Sequence, residues 1–207
     1  MQVRMPVDGT ARRLFPLRYR CLFALLVAFC AVIPPPAHAE VDERYVETFY
    51  VVNARPEMPL SALITQASYI KFDGVTYHGV ATPGIQSRLF WNFDAATGLC
   101  RMKRVLVTLR IEVRLPRLFE ATDAQRAAFE RYMAALRVHE QGHVDLYRSI
   151  AAQMVREQEA LPPMPSCDAL QKVAFDRGNE ILREGRAANV RYDAVTQHGR
   201  TQGAALQ

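Results

Sequence analysis

The chain has 207 residues, with 26 Lys and Arg against 21 Asp and Glu, for a formal net charge of +5. Residues 1–39 hold five of those basic residues and one acidic residue, so the remainder carries 21 against 20, a net charge near +1. No run of Lys or Arg remains in that part, which speaks against nucleic acid as a partner.

Arginines crowd residues 12 to 20, RRLFPLRYR, ahead of the apolar run CLFALLVAFCAVI and the small-residue stretch PPPAHAE. That order reads as an export signal over residues 1–39, cleaved after Ala39. The apolar run is short for a membrane span, and the prolines after it would stop a helix, so no membrane anchor is expected after cleavage. Arg12 and Arg13 resemble a twin-arginine signal, while Arg18 and Arg20 fit general secretion equally well. The expected location is periplasmic or extracellular. Residues 40–207 are then one domain of ordinary size.

Strands are expected first. RYVETFYVV (44–52) is rich in β-branched and aromatic residues. MPLSALITQAS (58–68) reads as a short helix. VTYHGVAT (75–82) and RLFWNFD (88–94) read as further strands bounded by Gly and Pro. VLVTLRIEVRLP (105–116) alternates strictly, with Val105, Val107, Leu109, Ile111, Val113 and Leu115 on one face. Such alternation fits an antiparallel sheet buried on one side, with Pro116 ending the strand. Placed at a sheet edge, this strand would bind an extended peptide by strand addition; placed centrally, it would only build the core.

The second half reads as helical. Thr122 and Gln125 make a capping box, and no proline follows until Pro162, which predicts a helix over 123–160. A second helix is expected over about 168–190, then an irregular polar tail from Asn189. Cys100 and Cys167 are the cysteines left outside residues 1–39, and in an oxidising compartment they are expected to form a disulfide.

In the long helix, Phe129, Met133, Leu136, Glu140, His143, Tyr147, Ile150 and Met154 form one stripe. Glu140 and His143 interrupt an otherwise apolar face, and His139 flanks it. Burying a carboxylate beside imidazoles is costly unless something compensates, and a divalent cation would. His139, Glu140 and His143 form H-E-x-x-H. Residues at i and i+4 share a helix face, so both imidazoles can reach one zinc ion. Glu140 lies about 100° further round, placed for a water molecule as general base.

Two ligands do not hold zinc, and a third must come from elsewhere. His198, in YDAVTQHG, is the first choice. Asp193 is the second, with Glu180 or Glu184 on the second helix as further alternatives. His78, on an expected strand, reads as a structural histidine. Tyr192 is a possible donor to an oxyanion.

LRVHEQGHVD, the cysteines at 100 and 167, and YDAVTQHGRTQGA together resemble a bacterial domain-of-unknown-function family described as predicted secreted zinc-dependent proteases, of zincin-like type. That resemblance covers about residues 45 to 205. It implies an α+β fold in which an antiparallel sheet packs on a long active-site helix and a second C-terminal helix. It further implies His139 and His143 as ligands of one Zn2+ and Glu140 as the catalytic residue. The family's tail histidine corresponds to His198. Its tryptophans are reduced here to Trp91, with Phe129 at the helix position. The expected function is a zinc metallopeptidase acting on a peptide or protein. The alternatives are a non-proteolytic zinc-binding module and a hydrolase of cell-wall amides.

Overall fold

The computed structural model describes residues 40–206; the expected export signal and its cleavage site lie outside them. The elements in order are β1 (Val41–Asn53), α1 (Leu60–Ala67), β2 (Lys71–Phe72), β3 (Val75–Thr76), β4 (Val80–Asp94), β5 (Leu99–Phe119), α2 (Asp123–Glu159) and α3 (Cys167–Thr196), then a 3-10 turn at Arg200–Gln202. This is the mixed α and β content expected, with a small sheet followed by two long helices.

The sheet order is β1-β5-β4, so the alternating strand is central. β4 pairs with it antiparallel, while β1 runs parallel to it, from Val41↔Val107 to Asn53↔Phe119. Strand addition to β5 is therefore ruled out over Val107–Arg114, where both of its sides already have neighbours. Its odd-numbered face, from Val105 to Leu115, is 0–2% exposed and forms the centre of the core. Each of these side chains contributes about 1.5–3 kcal/mol by leaving water, an upper estimate because unfolded chains already bury some surface. Arg110 on the opposite face is exposed.

Both prolines in this sheet sit where a missing N–H costs nothing. The backbone bonds of Val107 and Phe119 point toward the β1 side, so by alternation Pro116 points the other way. β4 pairs no further than Arg114 on that side, and β5 therefore continues past Pro116 to Phe119 instead of ending there. Pro83 lies opposite Ile111, whose own backbone faces β1, so Pro83 faces the open edge. The two expected strands at 75–82 and 88–94 accordingly join into one long β4, and residues 75–76 belong to a separate small hairpin, β2–β3.

The α2 helix opens on the expected capping box, in which the Gln125 N–H donates to Thr122 Oγ1 at 3.2 Å and the Thr122 N–H donates to Gln125 Oε1 at 3.1 Å. Met133, Leu136, Ile150 and Met154 bury its apolar stripe. Ion pairs of Arg148 with Glu43 and of Arg137 with Glu47 fasten its outer side to β1. Such exposed pairs contribute little and mainly fix placement.

After a proline-containing turn, α3 returns along α2. Gln158 meets Ala174, and His143 meets Asn189. The Cys100–Cys167 disulfide, with Cα atoms 5.0 Å apart, pins the start of α3 to the start of β5. The helix does not stop near 190 but runs to Thr196. Residues 189–196 contain no Gly or Pro, and Asn189, Tyr192, Asp193 and Thr196 among them are polar because they face the polar part of α2. Gln197, His198 and Gly199 then adopt left-handed conformations that fold the tail back. Among the described residues no helix is long and apolar enough to cross a membrane.

Candidate metal centre

One turn of α2 places His139, Glu140 and His143 together, and all three are at most 7% exposed. From α3, Asp193 meets the two imidazoles: its Oδ1 lies 3.2 Å from His139 Nε2 and 3.1 Å from His143 Nε2. These ligand atoms all lie within 4.8 Å of one another, a group able to hold a metal ion. Burial disfavours the charged form of Asp193, but hydrogen bonds from His139 and His143 hold its carboxyl well below the usual carboxylate range.

The other nitrogen of each histidine is held by a side-chain amide. His143 Nδ1 lies 2.7 Å from Asn189 Oδ1, and Asn189 Nδ2 donates to the Gly185 carbonyl at 2.9 Å. The second bond fixes the amide orientation, so Oδ1 accepts and Nδ1 must carry a proton. His139 Nδ1 lies 3.1 Å from Gln202 Oε1, while Gln202 Nε2 donates to the Tyr192 hydroxyl at 3.0 Å. That hydroxyl in turn donates to the His139 carbonyl at 3.1 Å. With both Nδ1 atoms protonated, Nε2 of each ring, here hydrogen-bonded to Asp193, is the nitrogen that would offer its lone pair to a ligand between the helices once it gives up its proton.

Tyr192 was expected as a possible oxyanion donor, but its hydroxyl is engaged on both counts. Its ring stacks on His139 at 5.2 Å and meets His143 edge-on at 4.9 Å, so it serves as a packing wall. That packing explains Gly142: a Cβ there would overlap the Tyr192 hydroxyl.

Glu140 points away from α3, toward the start of β4. A Cβ on Gly79 would lie 2.5 Å from Glu140 Oε1, so glycine is needed for this close approach. The other oxygen, Oε2, is buried and has no hydrogen-bond partner among the described residues. Burial pushes this carboxyl up to about 7, against the opposing pull of His143 and His139. A carboxyl poised there can accept and return a proton near neutral pH.

The remaining sequence candidates fall outside the converging group. The structure puts Asp193, the second choice, in the place expected for His198. His198 Nδ1 stands 3.4 Å from Asp193 Oδ1, with its side chain 51% exposed and its ring against Tyr77. Glu180 and Glu184 pair with Arg177 instead. His78 is structural: the Thr65 hydroxyl donates to Ser61 and so accepts from His78 Nε2 at 2.8 Å, leaving Nδ1 to accept from Tyr132 at 2.7 Å. Sequence reading missed Asn189, Thr196 and Gln202. The signal was present in the spacing of Asn189, Tyr192, Asp193 and Thr196, which makes one polar stripe once residues 189–196 are taken as helix.

No curated protein and no solved structure matches this chain. A family profile does match, over residues 47–199, and it takes in the second half of β1, all of β4 and β5, both long helices and His139, Glu140, His143 and Asp193. The chain belongs to the DUF922 family, described as bacterial protein of unknown function.

Proposed function

We propose that this protein is an exported zinc-dependent peptidase, with His139, His143 and Asp193 holding the ion and Glu140 serving as general base. The observation that carries this reading is the buried Glu140 carboxylate, with one oxygen unpartnered, beside three converging ligand atoms. The donor set fits zinc. Nitrogen and oxygen ligands about 2.0–2.1 Å from a tetrahedral ion stand about 3.3 Å apart, and Asp193 lies 3.2 and 3.1 Å from the two imidazole nitrogens. Two imidazoles and one carboxylate leave a fourth position open, as in catalytic sites.

A zinc ion bound there would supply Lewis acidity toward a carbonyl and toward water. The protein's own groups do the rest. Asn189 and Gln202 hold the imidazoles in the tautomer that presents Nε2. Glu140 takes a proton from the attacking water and returns it to the departing amine, a role served by its raised pKa. Tyr192 and the start of β4 wall the site from solvent. The disulfide is consistent with export to an oxidising compartment.

The test compares zinc-loaded wild type and Glu140→Gln on fluorescent casein, with zinc content measured in both. Equal zinc with hydrolysis reduced by about 10²–10⁴-fold is expected. Wild type that binds zinc yet cleaves nothing, or a variant as active as wild type, overturns the proposal in favour of a non-proteolytic zinc-binding module.

A further inference from the structure

His139, Glu140 and His143 are at most 7% exposed, whereas Asp193 and His198 beside them have side chains 29% and 51% exposed, so one approach to the ligand cluster lies on their side. Tyr77 stands on that side, its ring 5.1 Å from the His198 ring. It belongs to one face of the β2–β3 hairpin. Phe72 and Val75 are directly paired across the hairpin, and the Phe72 ring lies 5.8 Å from Tyr77. Ile70, across from Tyr77 through a backbone bond, is buried at the base of this face. Toward the tip the same face opens to water, with Phe72 55% and Val75 52% exposed. The turn itself is Asp73-Gly74 with both residues at positive φ, a stiff two-residue connection.

A two-stranded hairpin has little stability to spare for exposed apolar groups, and a surface hairpin needs none at its tip. This one carries an apolar face that continues, through Tyr77 and His198, to the Asp193 side of the cluster. We infer that the Phe72–Val75–Tyr77 face is a substrate subsite that takes an apolar side chain, aromatic or branched, next to the bond presented to the metal. This rests on the proposed function, because only a polypeptide lying across the cluster would bring a side chain here.

The probes are zinc-binding hydroxamates, which need no hydrolysis. N-acetylphenylalanine and N-acetylglycine hydroxamates place a benzyl group or hydrogen on one side of the zinc-binding group. The corresponding N-formyl-N-hydroxy amides place it on the other. Titration of zinc-loaded protein is expected to show one of the two series preferring benzyl by at least about 10-fold. Phe72→Ser and Val75→Ser, each at an exposed site, should each cut that preference to about 2-fold or less. No preference in either series, or a preference that survives both variants, overturns the inference. So does a concentration-dependent dimer that Phe72→Ser abolishes without changing the ligand ratio, which would assign the face to self-association. Zinc content, measured first, separates the two levels. Protein that takes up no zinc defeats the proposed function itself, whereas zinc-loaded protein blind to the benzyl group defeats only the subsite.

Discussion

The two helices that face each other across the cluster contribute in different ways. α2 delivers two imidazoles and a carboxylate from a single turn, all within a helix whose neighbouring turns are locked into the core by Leu136 and Ile150. α3 delivers one carboxylate, 29% exposed, and two groups that act on α2: Asn189 on His143, and Tyr192 as a wall against both histidines. One helix supplies reactive atoms at fixed spacing, and the other supplies orientation and closure. A site divided in this way depends on how α3 is docked as much as on the motif in α2.

The most direct way to break this division is to remove what each side gives. Asp193→Ala takes away the only α3 ligand in the converging group. Zinc affinity measured by chelator competition should fall by more than the 10–100-fold associated with losing an outer hydrogen-bond partner. His198→Ala is expected to keep its zinc. The opposite result, with Asp193→Ala fully loaded and His198→Ala empty, would restore His198 as the third ligand and require the tail to move.

The difference between the helices also governs what could be read in advance. H-E-x-x-H was legible because all its members lie within one turn, where spacing alone determines geometry. The core face of β5 was legible for the same reason, since alternation needs no knowledge of partners. Position in the sheet was not. Whether Val105 to Leu115 sit at an edge depends on where β1 and β4 dock, and the parallel placement of β1 is a long-range outcome. Residues 189–196 were misread because their polarity suggested a solvated tail. Asn189, Tyr192, Asp193 and Thr196 are polar because they meet a buried polar cluster. His198 was favoured over Asp193 because histidine is the more familiar ligand type, and no local pattern could show that the left-handed turn at 197–199 leaves its ring half-exposed beside Asp193 and outside the converging group.

A second perturbation asks whether docking at the far end of α3 matters to the site. The Cys100–Cys167 bond encloses 67 residues of separation and sits at the opposite end of α3 from Asp193. Replacing both cysteines with serine should lower stability to denaturant by about 4 kcal/mol on the chain-entropy account. Zinc affinity of the folded fraction should stay within about 3-fold of wild type, because Gln158, Asn189 and the cluster itself still hold α3 against α2. A large loss of affinity at unchanged stability would mean that the disulfide tunes the site.

The smallest expected effects separate the two amide partners. Asn189→Ala removes the side chain that fixes His143 Nδ1, and no other acceptor among the described residues is found at that nitrogen. Gln202→Ala does the same to His139, but there the Thr196 oxygen already stands 3.4 Å from Nδ1. The Thr196 hydroxyl spends its own hydrogen on the Tyr192 carbonyl at 2.7 Å, so its lone pair remains able to accept from His139. Losing Asn189 should therefore weaken zinc binding by about 10–100-fold, and losing Gln202 by distinctly less. Chelator competition on both variants, with Thr196→Val added to Gln202→Ala, checks this order. The double change should bring His139 down to the level of the Asn189 variant, since both imidazoles would then be free to turn. Equal effects from the two single variants would mean that Thr196 gives His139 no support, and that the two imidazoles depend alike on their amide partners.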